Sequence, residues 1–156
     1  MIKGQHEHCQ QRLAGLRELL TPVSAFDLNQ FIAVWANYEF DLYATRDGRQ
    51  YLMLMLKLSA DEEVDAELRR HLNCSEVLVV QAFARERPSL DAQALRGGWF
   101  MASGALYAAI VSAEETQEPD DPASATLSRV RAISFLIEGL RGYWSAGVAP
   151  LAAMSD

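Results

Sequence analysis

Cysteine is scarce in this chain of 156 residues: there are two, Cys9 and Cys74. Two cysteines build no disulfide framework, and their spacing matches no zinc pattern. A reducing, cytoplasmic setting is the expectation that follows. Dense basic clusters are also missing. The 14 Lys and Arg are dispersed among 21 Asp and Glu, for a formal net charge of −7. That excludes the electrostatic footprint of a nucleic-acid or anionic-lipid binder for this chain alone. The first residues, MIKGQHEHCQQ, carry no apolar core of a secretory signal. A convincing membrane span is lacking too. Residues 97–113 are 17 uncharged positions, at the lower edge of what crosses a bilayer, and many are Gly, Ala and Ser. The flank that follows is acidic rather than polybasic, so no topology signal accompanies the run.

What the chain does have is helical periodicity. Half of it is hydrophobic and 22% is charged, a globular composition. Its length suits one domain spanning 1–156, which on folding buries roughly 68–70% of its surface. Leu13, Leu16, Leu19 and Leu20 share a face within residues 5–20, and Thr21-Pro22 ends that helix. Ser24 or Asp27 is placed to cap a second helix reaching about Ala44. Its aromatic stripe is Phe31, Trp35 and Tyr38, continued by Leu42. RDGR, 46–49, reads as a turn. YLMLMLKL, 51–58, contains no β-branched residue and reads as a short buried helix. Ser59 and Glu62 form a capping box for a further helix that runs through Val79 and Phe83, continuous or broken near Asn73-Cys74, and stops at Pro88. Another helix covers about 90–115. The segment 114–123 has five acidic residues and two prolines and reads as a solvated loop. A last helix, about 124–144, carries Val130, Ile133, Ile137, Leu140 and Trp144. The sequence therefore predicts an all-α bundle of about six helices, with no internal repeat.

The helix over 90–115 poses a question. Glycine inside a helix costs roughly 0.5–1 kcal/mol relative to alanine, and this helix holds Gly97, Gly98 and Gly104. One seam is Gly97, Met101, Gly104, Ala108 and Val111; beside it runs Gly98, Ala102, Ala105, Ala109 and Ser112. Leu95, Trp99, Leu106 and Ile110 form a separate bulky stripe. A bulky face can pack into its own domain while a small face lets a second helix approach closely. The last helix is the natural companion, and a subunit interface is expected.

The order of these features resembles the C-terminal domain of the tetracycline-repressor (TetR) family of transcriptional regulators. The resemblance covers nearly the whole chain. MIKGQHEHCQQRLAGLRELL is similar to the helix that follows the family's DNA-binding head. DGRQYLMLMLKLSADEEVDAELRRHL resembles its middle segment, LRGGWFMASGALYAAI its first dimerisation helix and ISFLIEGLRG its terminal helix. The resemblance implies a homodimer in which the last two helices of each subunit make an intermolecular four-helix bundle. Gly97, Met101, Gly104, Ala108 and Val111, with Val130, Ile133, Ile137 and Leu140, would form that interface. It also implies a small-molecule effector pocket among the preceding helices. DNA enters only through a helix-turn-helix head outside this chain, since residue 1 falls about where that head ends.

For the pocket, Phe31, Trp35, Tyr38, Tyr51, Met55, Val79, Phe83 and Trp99 are the candidate lining of an apolar or aromatic ligand. Asn37, Tyr38 and Glu39 are the candidate polar contacts. An ordinary core explains each of these residues singly, and a solvated face also explains Glu39. His6, Glu7, His8 and Cys9 lie at adjacent and alternate helical positions that do not converge on one ion, so no metal or cofactor is expected. His71, Glu67, Cys74 and Ser75 come without a nucleophile elbow or an oxyanion hole, and Gly97-Gly98 follows no strand. The sequence thus gives no support to an enzyme. A helical dimer with a partner-binding or structural role and no effector is the alternative reading.

Overall fold

The computed structural model describes residues 2–21, 26–60, 74–116 and 122–146. Within them the chain is all-helical, with six helices and no strand: α1 (Ile2–Leu20), α2 (Leu28–Tyr43), α3 (Arg46–Ala60), α4 (Cys74–Glu86), α5 (Ala92–Thr116) and α6 (Pro122–Ala146). The helices fall into two compact units, residues 1–86 and 87–156.

In the first unit α1 packs on α2, α3 and α4, and α2 packs on α3 and α4. Asp27 opens α2 as its N-cap, accepting from the backbone N–H of Asn29 at 2.8 Å and of Gln30 at 3.3 Å. These donors have no partner within a helix, which is why a short acceptor side chain belongs there. The corner between α2 and α3 is tighter than the sequence predicts. RDGR forms the first turn of α3 rather than a turn between helices, because Thr45 caps it: its Oγ1 accepts from the N–H of Gly48 at 3.0 Å. A Cβ on Gly48 would collide with the Leu42 carbonyl, so this corner closes only with glycine. The helix 51–58, expected to be buried, leaves Met53 and Leu54 exposed. Ser59 lies within α3, and its side chain, Glu62 and the helix they were expected to cap fall outside the described residues.

The core of this unit follows from helical spacing. Leu13 and Leu16 of α1, Leu28, Phe31, Ile32, Trp35, Ala36, Phe40 and Leu42 of α2, and Leu78, Val79, Ala82 and Phe83 of α4 are buried in it. Burying each large side chain contributes roughly 1.5–3 kcal/mol. Arg85 ties the end of α4 to the end of α1: it donates to the Leu20 carbonyl, and its guanidinium lies 4.8 Å from the Phe26 ring centre.

In the second unit α5 and α6 pack along each other. Asp91 caps α5 by accepting from Ala94 N–H at 2.8 Å. Gly98, near the start of α5, lies against Trp144 and Leu140, near the end of α6. The two helices therefore run antiparallel, as a helical hairpin. Their shared seam is Leu95, Gly98, Ala102, Leu106, Ile110 and Ala113 against Ala132, Leu136, Leu140 and Trp144. Small residues at Gly98 and Ala102 let the Trp144 and Leu140 side chains close onto the α5 backbone.

Candidate functional site

Two features of the described residues stand out. The first is on the α1–α2 side of the first unit. Gln11 and Arg12 of α1, with Tyr38 and Asp41 of α2, line an open cleft of about 280 Å³. The Arg12 guanidinium lies 5.7 Å from the Tyr38 ring centre, an arrangement in which the ring face attracts the cation. Tyr38 reaches over α1 at Gly15, where an added Cβ would stand 2.7 Å from its hydroxyl.

Glu39 follows Trp35 by one helical turn and so belongs to the buried face of α2, the face of Phe31, Ile32, Trp35 and Leu42. Its Oε2 is shut off from solvent and has no hydrogen-bond partner. Burial pushes the carboxyl up to about 7, against the smaller opposing effects of the Arg12 charge and the neighbouring Trp35 side chain. Desolvation of the charged form wins because one guanidinium across the helix contact does not replace lost water. Perturbed carboxyls of this kind cluster at functional sites.

The expected lining residues separate into groups. Phe31, Trp35, Val79 and Phe83 meet in the core of the first unit, each at most 2% exposed. Tyr38 borders the cleft, and Tyr51 is half-buried on α3. The Met55 side chain lies outside the described residues, and Trp99 belongs to the second unit. Asn37 is spent on its own helix, its Nδ2 donating to the Ala33 carbonyl at 2.9 Å. Gln11, Arg12 and Asp41 were not foreseen, because a polar stripe on α1 gains meaning only once its partner helix is known. His6, His8, Cys9, His71 and Glu67 have no described side chains, and among the described residues no group of three metal-ligating side chains occurs.

The second feature is the outer surface of the α5–α6 hairpin. Phe100 is 70% exposed, Phe135 65%, Val130 54%, Leu127 49% and Val111 41%. Gly104 and Ala108 are exposed, whereas Gly97 and Met101 are half-buried. Nothing lies within 4 Å of a Cβ built on Gly104, Gly139 or Gly142. A Cβ on Gly97 would instead collide with the Tyr143 hydroxyl. That contact shows which flank of α6 accompanies which flank of α5. At roughly 100° per residue, Gly97, Met101, Gly104 and Ala108 fall on the flank of Phe135, Gly139 and Gly142. Val130, Ile133 and Ile137 fall on the other flank, with Trp99 and Tyr107. Leu140 is fully buried inside the hairpin. The two stripes that the sequence joined into one interface thus lie on different sides of it.

Among the described residues no helix is long and apolar enough to cross a membrane. No family model, no curated protein and no solved structure matches this chain.

Proposed function

We propose that the chain is the effector-binding and dimerisation part of a TetR-like regulator, with no chemistry of its own. The first unit receives a small molecule, and the α5–α6 hairpin pairs with its copy in a second subunit to make a four-helix bundle. Binding would act through the dimer, shifting the population of two subunit arrangements.

The observation that carries this reading is the glycine flank of the hairpin. Gly104, Gly139 and Gly142 stand inside helices, and among the described residues no other element comes within 4 Å of a Cβ built on any of them. Each costs helix stability, and a closely approaching helix offsets that cost. Phe135 is exposed on this same flank, and an exposed large apolar side chain beside such a seam marks an interaction surface. The flank of Gly97, Met101, Gly104, Ala108, Phe135, Gly139 and Gly142 is the proposed interface, with Val111 at its edge. Val130, Ile133 and Ile137 are left to the other flank.

Light scattering after size exclusion tests the dimer. A mass consistent with two chains at micromolar concentration is expected, and a single chain throughout would overturn the reading. A helical dimer without an effector remains the second reading. Native mass spectrometry separates the two: a retained small molecule supports the sensor, and a dimer that takes up no added ligand supports the scaffold.

A further inference from the structure

Three of the side chains lining the cleft between α1 and α2 carry hydrogen-bond donors: Gln11, Arg12 and Tyr38. Among the described residues no hydrogen bond or ion pair holds the Arg12 guanidinium. Its contact is the Tyr38 ring, 5.7 Å away at the ring centre. The other arginines of the first unit that meet a ring are tied down as well. Arg49 donates to the Tyr43 carbonyl at 3.2 Å, and Arg85 donates to the Leu20 carbonyl. Arg12 is half-buried at the cleft, where the ring face steadies its charge. A ring face takes up none of the directional bonds that the planar guanidinium fork offers, so the fork stays available to an acceptor.

Gly15 gives Tyr38 its place. It stands about one turn after Arg12 on α1, and a Cβ there would come within 2.7 Å of the Tyr38 hydroxyl. Glycine weakens a helix interior, and here it leaves the room in which Tyr38 lies across α1. Among the described residues the Tyr38 hydroxyl, like the guanidinium, makes no hydrogen bond. The carboxylate of the lining is Asp41, which is exposed. Glu39 belongs to the core face of α2 and is no part of the lining.

We infer that the cleft between α1 and α2 binds a small monocarboxylate, whose carboxylate group pairs with the Arg12 guanidinium and accepts from Tyr38 or Gln11. This rests on the small-molecule reading above and narrows it to a place and a charge class. Bonds from a guanidinium to a carboxylate are charge-assisted and often paired, so the fork matches that group in shape as well as in charge. The cleft volume of about 280 Å³, near the lower end for ligand pockets, restricts the guest to a small one. Asp41 repels a second negative charge on the guest, and the net charge of −7 acts in the same direction. A monoanion is therefore favoured over a phosphate or a dicarboxylate.

The test titrates benzoate into the full chain by calorimetry, with benzyl alcohol as a neutral probe of similar size and phenyl phosphate as a dianion. Wild-type protein should bind benzoate saturably, and benzyl alcohol about tenfold more weakly. Arg12→Gln keeps a donor and loses the charge, so it should bind benzoate about tenfold more weakly than wild type. Asp41→Asn should bind it more tightly than wild type. Neither residue belongs to the core, so both variants should fold, which circular dichroism checks; the comparison of the three probes on wild type needs no variant. Unchanged benzoate affinity in Arg12→Gln would overturn the inference and move the small-molecule site elsewhere. Tighter binding of phenyl phosphate than of benzoate would overturn the monocarboxylate class. Equal binding of benzyl alcohol and benzoate would overturn the charge class and leave a small-molecule site standing. If no probe binds any of the proteins, the inference falls, while a small molecule retained in native mass spectrometry still decides the reading on which it rests.

Discussion

The hydroxyl of Tyr143 stands where a Cβ on Gly97 would have to go, while the ring of Trp144 and the end of Leu140 close over Gly98. Two adjacent glycines of α5 are therefore explained inside a single chain by the close approach of α6. Gly98 meets Trp144 Nε1 at 3.1 Å and Leu140 Cδ2 at 3.5 Å from its ideal Cβ. Both neighbours are buried and have little room to give. Gly98→Val should cost roughly 1–3 kcal/mol through overpacking, read as a lower thermal midpoint. Gly97→Ala meets the half-exposed Tyr143, whose hydroxyl can move, so its cost should be smaller. Adding Tyr143→Phe should recover part of that cost in a double-mutant cycle. Independent, additive effects of Gly97→Ala and Tyr143→Phe would show that this contact does not form.

Gly104 makes the opposite case. Among the described residues, no other element comes within 4 Å of its ideal Cβ. Leucine is a better helix former than glycine, by up to about 1 kcal/mol, so Gly104→Leu should leave the hairpin as stable as before. Across a close subunit contact the same side chain has no room. The expected result is a folded, helical protein of single-chain mass at concentrations where wild type is a dimer. Wild-type association by Gly104→Leu would place the interface elsewhere.

Phe83 tests whether the expected ligand-lining residues are lining or core. It is fully buried, as are Phe31, Ile32 and Val79. Truncating such a side chain costs roughly 3–5 kcal/mol when its surroundings are closely packed. Phe83→Ala should therefore lower the denaturant midpoint sharply, with wild-type slope. A loss below about 1 kcal/mol would mean that Phe83 borders open space, as a pocket wall does.

The sequence made the helices legible because apolar spacing and capping residues are local. Asp27 capping α2, the helix end at Pro88 and the stripe Phe31–Trp35 all depend on neighbours a few positions away. The corner at Thr45–Gly48 differs from the turn that the sequence suggests, because a charged Arg-Asp-Gly-Arg run is equally at home in a first helical turn once Thr45 supplies the cap. The surface stripes were harder. Gly97, Met101, Gly104 and Ala108 are alike by spacing, yet Gly97 is covered by Tyr143 and Gly104 by nothing. Which flank of α6 goes with which flank of α5 is set by the rotation of the two helices, and that is not written in either one alone. Arg12 and Glu39 show the same limit. Glu39 stood out as a candidate polar contact among apolar neighbours, but Arg12 did not, and their relationship exists only because α1 lies across α2.

Glu39 should also leave a mark on the pH dependence of stability. Its carboxyl is raised from the ordinary 4.5 to about 7 by burial. Between those values the native state holds a proton that the unfolded state has released. Stability then falls as pH rises through this window, because the native state binds more protons than the unfolded one. Below about 4.5 Glu39 is neutral in both states and contributes no slope; above about 7 it is charged in both and the penalty is complete. The full effect is on the order of 3 kcal/mol. Glu39→Gln has no such titration. The variant should therefore match wild type near pH 5 and exceed it in stability at pH 8, as measured by urea unfolding at each pH. Parallel pH profiles of the two proteins would mean that the Glu39 carboxyl is solvated or fully paired in solution.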